Sequence, residues 1–295
     1  TGWSSIFGLS FLMTKSALET FSPFELLFLR FALATLALGL LVLLRLVKLD
    51  FRGKPRLPLF LICLFQPVLY FACETFGLRE TASSTGGLIL GALPAAVAAL
   101  SMPMLRERLS LRQALGLCAS VGGVVLIVVD GRAGSGAGAS HDSLRGLLLV
   151  VGALASAAFY NIYSRRASRT YKASEITFAM MASGAAFFGL LALAQDLARG
   201  GTSLASGTTP AAWAAVAYLG LLSSVLAFFL VNLSLSKLKA SQASAFGTLV
   251  TLVSLLAGLV FRGERMDPFK LLGAAAIIGG VWAVNAAARV SSTQA

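Results

Sequence analysis

Three ionisable side chains lie well inside long apolar stretches of the chain: Lys15, Arg30 and Glu74. If those stretches are helices rising about 1.5 Å per residue, Arg30 sits roughly 12 Å deep and Glu74 roughly 7–8 Å deep. Lys15 lies at a similar depth, with Glu19 and Glu25 nearer the surface. An ionised group in an apolar interior is costly, so it marks a site by default. Two chemistries fit. In one, Glu74 braces helices by pairing with Lys15 or Arg30, and Lys15 stretches towards the polar boundary. In the other, one or more of the three line a pathway and grip a carboxylate or an ammonium group, and Glu74 carries a proton.

Aromatic and amide groups accompany the charges. Tyr70 and Phe71 precede Glu74 by about one helical turn, and Tyr160, Asn161 and Tyr163 cluster together. Phenol and amide groups suit the lining of a site for small organic molecules, ordinary helix packing being the plain alternative. Trp3, Trp213 and Tyr218 fall near the ends of apolar runs, where an interfacial belt is expected. Other chemistries lack their residues. Cys63, Cys73 and Cys118 show no metal-ligand spacing and read as free buried thiols, and the single histidine, His141, is too isolated for a metal site or a triad. Asp50, Asp130, Asp142, Asp196 and Asp267 all fall between runs or at their ends, and no Walker motif is present. No catalytic residue, metal or cofactor is expected, and neither an intramembrane enzyme nor ATP-driven pumping by this chain alone fits well. Filter loops, which would favour a channel, are lacking as well.

The elements that must hold these residues follow from composition. Of 295 residues, 57% are apolar and only 12% charged, about half the usual charged share, and the mean hydropathy is +0.85. Too little charge is present to cover a water-facing globule, and disorder needs low hydrophobicity. The net charge of +12 would ordinarily suggest nucleic acid, but this composition argues against it. Apolar runs of the length that spans a bilayer, about 20 residues, occur at 2–19, 23–46, 57–78, 82–104, 110–129, 144–164, 174–195, 210–236, 241–261 and 267–288. They are too long, and alternate too little, for barrel strands. The first run has no basic leader or small-residue cleavage pattern, so no cleavable signal peptide is expected. With the N-terminus inside, fifteen Lys and Arg fall on the inner side and eight on the outer. That bias predicts cytoplasmic N- and C-termini and accounts for most of the positive charge.

A Gly-rich linker at 131–143 divides the runs five and five. Residues 107–124 and 264–281 align without a gap, sharing Glu107/Glu264, Arg108/Arg265, Leu115/Leu272, Gly116/Gly273, Ala119/Ala276, Gly122/Gly279, Gly123/Gly280 and Val124/Val281. Each half holds an odd number of runs, so the second enters the membrane from the opposite side. Inverted repeats recur in secondary transporters, with the site near the midplane between the halves. The repeat maps Glu74 on to Asn232, Lys15 on to Arg165 and Glu25 on to Glu175, and puts Met180 in the place of Arg30. Small-residue spacing at Ala119-x-x-x-Gly123 and Ala276-x-x-x-Gly280 marks the fifth and tenth spans as packing elements. Gly87-x-x-x-Gly91 followed by Pro94 marks the fourth span, with its partner the ninth, as cavity walls, Pro94 kinking its helix. The inverted repeat leads to the expectation of a central cavity at the interface of the halves.

Several motifs together resemble a known family. These are Phe7-Gly8-x-Ser10-Phe11 with Lys15, then Pro23 and Arg30, Glu74-x-x-Gly77-Leu78, Thr81-Ala82-Ser83-Ser84, Pro94, and Glu107-Arg108-Leu109 leading to Gly116 and Gly122-Gly123. They look like the EamA domain of the drug/metabolite transporter superfamily, in both halves. Phe7 stands where that domain commonly has Trp, and Thr251 where a second Pro94 would fall. The resemblance implies an all-α membrane protein of ten transmembrane helices in two inverted five-helix repeats, 1–130 and 144–289, with an external linker and a short tail at 290–295. It further implies a multi-pass carrier of the bacterial inner membrane, often an exporter of amino acids, aromatic ones among them. A small-molecule substrate and the lipid bilayer are its expected partners, with no nucleic acid, as a monomer or weak homodimer. The resemblance also implies that the first, third, fourth, sixth, eighth and ninth spans line the central cavity, and Lys15, Arg30, Tyr70, Glu74, Pro94, Tyr160, Asn161, Tyr163 and Asn232 are the expected pathway residues.

Overall fold

The computed structural model of the chain describes residues 2–105, 111–133, 142–198, 209–237, 247–262 and 268–293, and these are helical throughout apart from short turns. The helices are α1 (Gly2–Ala17), α2 (Pro23–Leu43), α3 (Arg56–Glu80), α4 (83–105), α5 (Leu111–Ala133), α6 (Leu144–Ala167), α7 (Ala173–Ala198), α8 (Pro210–Lys237), α9 (Gly247–Arg262) and α10 (Pro268–Thr293). Among the described residues, seven helices are long and apolar enough to cross a membrane, α2 to α8. The expectation of ten is met short in this respect: α1 has 16 residues, and the apolar described parts of α9 and α10 are 250–261 and 268–284. Glu107, Arg108, His141, Glu264 and Arg265 lie outside the described residues.

Local chemistry sets the helix starts. Ser22 and Glu25 form a reciprocal capping box ahead of α2, with Pro23 in its first turn, an arrangement in which the cap alone contributes about 1 kcal/mol. Ser143 accepts from Gly146 N at 3.0 Å to start α6, and Thr209 accepts from Ala212 N at 3.2 Å to start α8. Two helices depart from α geometry midway. Leu64–Tyr70 in α3 and Tyr218–Ala227 in α8 are wound as π-helix, at matching places in the two halves. Such widened turns are rare and recur at functional sites. α4 is broken between Leu90 and Leu93, and Pro94 stands at the start of the second half-helix. Pro94 therefore opens a new helical turn, where its missing N–H costs little, instead of kinking a continuous helix as the sequence suggested.

The packing follows the repeat. α2 lies on α7 and α5 on α10, and α1 packs on α9 as α4 packs on α6. Likewise α3 packs on α6 as α8 packs on α1, so each large contact has its counterpart with the halves exchanged. A Cβ added at Gly116 would meet Gly280 O at 2.6 Å, and one at Gly123 would meet Gly273 O at 2.6 Å. Only glycine lets α5 and α10 approach so closely. Gly122 and Gly279 face open space on the same pair.

The core is aromatic. Phe31 stacks on Phe188 and meets Phe71 edge-on, and Phe71 continues to Phe228 and Phe228 to Phe7. Large apolar side chains such as Leu43, Leu111, Leu190 and Trp282 stand exposed around the outside, the reverse of a water-facing surface. Cys118 is among the exposed residues and Cys63 and Cys73 are half-buried, all three free. They are thus less enclosed than expected, because apolar surroundings here include the outer face of the bundle.

Candidate functional site

Helix ends gather at two opposite faces. One carries the α2–α3 turn with Gly53; the other carries Asp142. The Gly53 face is tied by Lys54 Nζ to Glu175 Oε2 at 2.6 Å, by Asp50 N to Glu175 Oε1 at 3.1 Å, and by Tyr171 Oη to Pro55 O at 2.8 Å. On the Asp142 face, Asp142 Oδ1 accepts from Ala82 N at 2.6 Å, and Oδ2 accepts from Thr85 Oγ1 at 2.9 Å and from Lys270 Nζ at 2.6 Å. Both partners of that ion pair are almost wholly buried. It joins the start of α4, the segment leading into α6 and the first turn of α10. Ser143 Oγ donates to Glu80 Oε2 at 2.6 Å beside it. Sequence reasoning placed Asp142 between runs and Lys270 near the start of the tenth, and missed the pair; 128 residues separate them.

Between the faces is a cavity of about 80 Å³ lined by six helices. Trp3, Phe7 and Phe11 come from α1, Gln66 and Tyr70 from α3, and Leu90 and Leu93 from α4; Tyr160 and Asn161 come from α6, Phe228 and Ser234 from α8, and Val250 from α9. These are the six spans expected to line it, while among the described residues α5 and α10 contribute none. Its residues run from mid-helix (Phe11, Tyr70, Leu90) to helix ends on the Gly53 face (Trp3, Ser234, Val250). The volume is several-fold below the usual 300 Å³ or more of a metabolite site, so a ligand of that size requires the walls to part. Trp3, read from sequence as an interfacial belt residue, lines the cavity.

Of the expected pathway residues, Tyr70, Tyr160 and Asn161 line the cavity. Tyr163 stacks on Phe65. Lys15 reaches the end of α3, donating to Leu78 O at 3.2 Å and to Thr81 O. Asn232 is fully buried in a closed node: its Oδ1 accepts from Tyr160 Oη at 2.9 Å and Ser164 Oγ at 2.8 Å, and its Nδ2 donates to Thr177 Oγ1 at 3.0 Å.

Arg30 and Glu74 sit at one level, each six or seven residues from the Asp142 face, roughly 10 Å in. Both are at most 3% exposed. Arg30 donates through Nε to Ser224 Oγ and through Nη2 to Ser223 Oγ, both at 3.1 Å, and its guanidinium lies 4.3 Å from the Phe71 ring centre. The widened turn of α8 presents that serine pair. Glu74 accepts from Tyr70 Oη at 3.3 Å, and its Oε2 has no hydrogen-bond partner among the described residues. Neither Lys15 nor Arg30 bonds Glu74 directly, so of the two readings the sequence left open the bracing pair is not formed; Lys15 and Arg30 are bonded elsewhere. One turn of α3 thus carries Tyr70, which faces the cavity, and behind it a buried carboxylate held by a single phenol. Among the described residues, no cluster of His, Cys, Asp and Glu could hold a metal.

Comparison with known proteins agrees with this arrangement. The model of the EamA-like transporter family matches residues 3–129 and again 144–286. The uncharacterized transporter YcxC of Bacillus subtilis (strain 168) is 35% identical over 285 residues, covering 96% of this chain and 90% of its own length. A probable terminal-alkyne amino-acid exporter of Streptantibioticus cattleyicolor is 26% identical over 217 residues, covering 73% of this chain and 68% of that one. One solved crystal structure shares the fold at a TM-score of 0.69 and 20% identity, over 98% of this chain and 96% of that one.

Proposed function

The chain belongs to the EamA-like transporter family, and from that premise we propose that it is a secondary transporter of the bacterial inner membrane that exports amino acids by alternating access. In this reading ten helices cross the bilayer as two inverted five-helix repeats, with the Gly53 face and both termini in the cytoplasm. The observation that carries it is the one-sided cavity. Its lining runs from Tyr70 to the Gly53 face, while Asp142–Lys270, Ser143–Glu80 and Lys15–Thr81 tie together the opposite face. That is the inward half of an alternating-access cycle, and an inverted repeat supplies the other half by exchanging the roles of its halves.

The amino-acid assignment is supported by the relative with an amino-acid exporter's name and by the aromatic lining. It is supported further by the opposite charges of Arg30 and Glu74, buried at one level without pairing. The carboxylate of Glu74 is the group we propose exchanges a proton for substrate, which would couple export to the proton gradient. Reconstitution into vesicles tests the function. Counterflow of labelled amino acids, accelerated by a proton gradient of the correct sign, is expected. Vesicles that exchange none of the common amino acids would reject the assignment.

A further inference from the structure

The repeat supplies an internal control for the Glu74 region. Lys15 and Arg165 correspond, so Thr14 corresponds to Ser164, and Glu74 to Asn232. In the second half, Ser164, Tyr160 and Thr177 all bond Asn232, and the node is closed. In the first half, the matching node is open. Among the described residues, Glu74 Oε2, Thr14 Oγ1 and the neighbouring Thr75 Oγ1 each lack a partner, and their residues are 3%, 1% and 0% exposed. A buried carboxylate oxygen without a donor is costly. The evident donor, Arg30, is held by Ser223, Ser224 and Phe71.

We propose that Glu74 Oε2 and Thr14 Oγ1 form a subsite for a primary ammonium group, reached from the cavity past Tyr70, so that a free amine is required of the ligand. The proposal rests on the amino-acid reading above and deepens it. An ammonium group carries three donors on one atom and a full positive charge. It can bond the carboxylate and a threonine hydroxyl at once, which a neutral amide or hydroxyl could do only without offsetting the charge. Arg30 would repel a bare cation, but it attracts the carboxylate of an α-amino acid, so the pair of fixed charges favours a zwitterion. Tyr70 must swing aside for entry, and its one bond to Glu74, at 3.3 Å, is long for a hydroxyl donor.

The test uses purified full-length protein in detergent. The twenty common L-amino acids are screened by thermal shift, and the best binder is compared with its N-acetyl and desamino forms. Both analogues should bind at least about tenfold more weakly, the scale of one hydrogen bond to a charge. Thr14→Val should weaken the amino acid by about tenfold and leave the desamino form unchanged. Glu74→Gln, an amide where the second half already holds one, should erase the preference for the amine. Equal binding of the analogues, wild-type affinity in both variants, or no binding by any amino acid overturns the subsite. Discrimination for the amine without counterflow in vesicles would reject the carrier and keep the subsite. Counterflow that carries the desamino form equally well would do the reverse.

Discussion

Lys15 and Arg165 perform the same task at opposite faces of the molecule. Lys15, in the last turn of α1, turns its ammonium on to Leu78 O and Thr81 O at the end of α3. Arg165, in the last turn of α6, donates through Nη1 to Leu235 O at 2.9 Å and Ser236 O at 3.0 Å at the end of α8. A cation at a helix C-terminus satisfies carbonyls that have no partner within the helix and meets the negative end of its dipole. Each half thereby closes its first helix against its third.

This pairing assigns Lys15 a structural task, and that can be measured. Lys15→Met should lower stability by about 1–2 kcal/mol, read as a lower thermal midpoint in detergent, with transport per folded molecule near wild type. Arg165→Met should behave alike. Full stability with abolished transport would instead put Lys15 on the pathway.

The Asp142–Lys270 pair should act as the fastening of its face. Removing one partner of a buried pair leaves an uncompensated charge, at a cost of about 3–5 kcal/mol. Asp142→Asn should therefore loosen that face and shift the protein towards the state open there. A cysteine at Tyr70 should then react faster with a membrane-impermeant thiol reagent added on the Asp142 side. The double variant Asp142→Asn, Lys270→Met should recover part of the stability, since no charge is left alone.

Adjacent glycines should give opposite results. Gly280→Ala forces a methyl group on to Gly116 O and Ser120 of α5, and overpacking of this kind costs about 1–3 kcal/mol. Gly279→Ala enters open space and should leave the thermal midpoint unchanged or slightly raised. The same contrast is expected at Gly123 and Gly122.

For orientation, single cysteines at Arg52 and Ser135 in a background free of Cys63, Cys73 and Cys118 should label from opposite sides of intact cells, Ser135 from outside. Labelling of both from one side would reject the inverted arrangement.

Much of this was legible from the chain alone. Helix positions followed from the apolar runs, and the choice of α1, α3, α4, α6, α8 and α9 as cavity walls followed from the glycine patterns with the family resemblance. That α5 and α10 are packing elements was visible in Ala119-x-x-x-Gly123 and Ala276-x-x-x-Gly280; that they pack on each other, Gly116 against Gly280 and Gly123 against Gly273, was not. Other features were hidden for identifiable reasons. Asp142 read as a loop charge and Lys270 went unremarked at the start of the tenth run, because burial at a helix end depends on what packs over it. Ser223 and Ser224 are unremarkable in an apolar run, and only the widened turn of α8 aims both at Arg30. Thr14 and Glu74 stand out only when set beside Ser164 and Asn232, whose bonds no sequence displays.

The widened turn at Leu64–Tyr70 also makes α3 a matter of phase. In an ordinary helix each residue advances the chain by about 100°. A widened turn holds about one residue more than the α turn it replaces, so deleting one residue between Leu64 and Leu69 would let the segment close into α turns with Tyr70 and Glu74 near their present phase, whereas deleting a second would swing both by about that angle relative to Ile62, which is fully buried. The carboxylate would leave the neighbourhood of Arg30 with every site residue still present. The matching turn at Tyr218–Ala227 fixes Ser223 and Ser224 in the same manner. Chain length through these two stretches is thus as much a determinant of the charged layer as the identity of any residue in it.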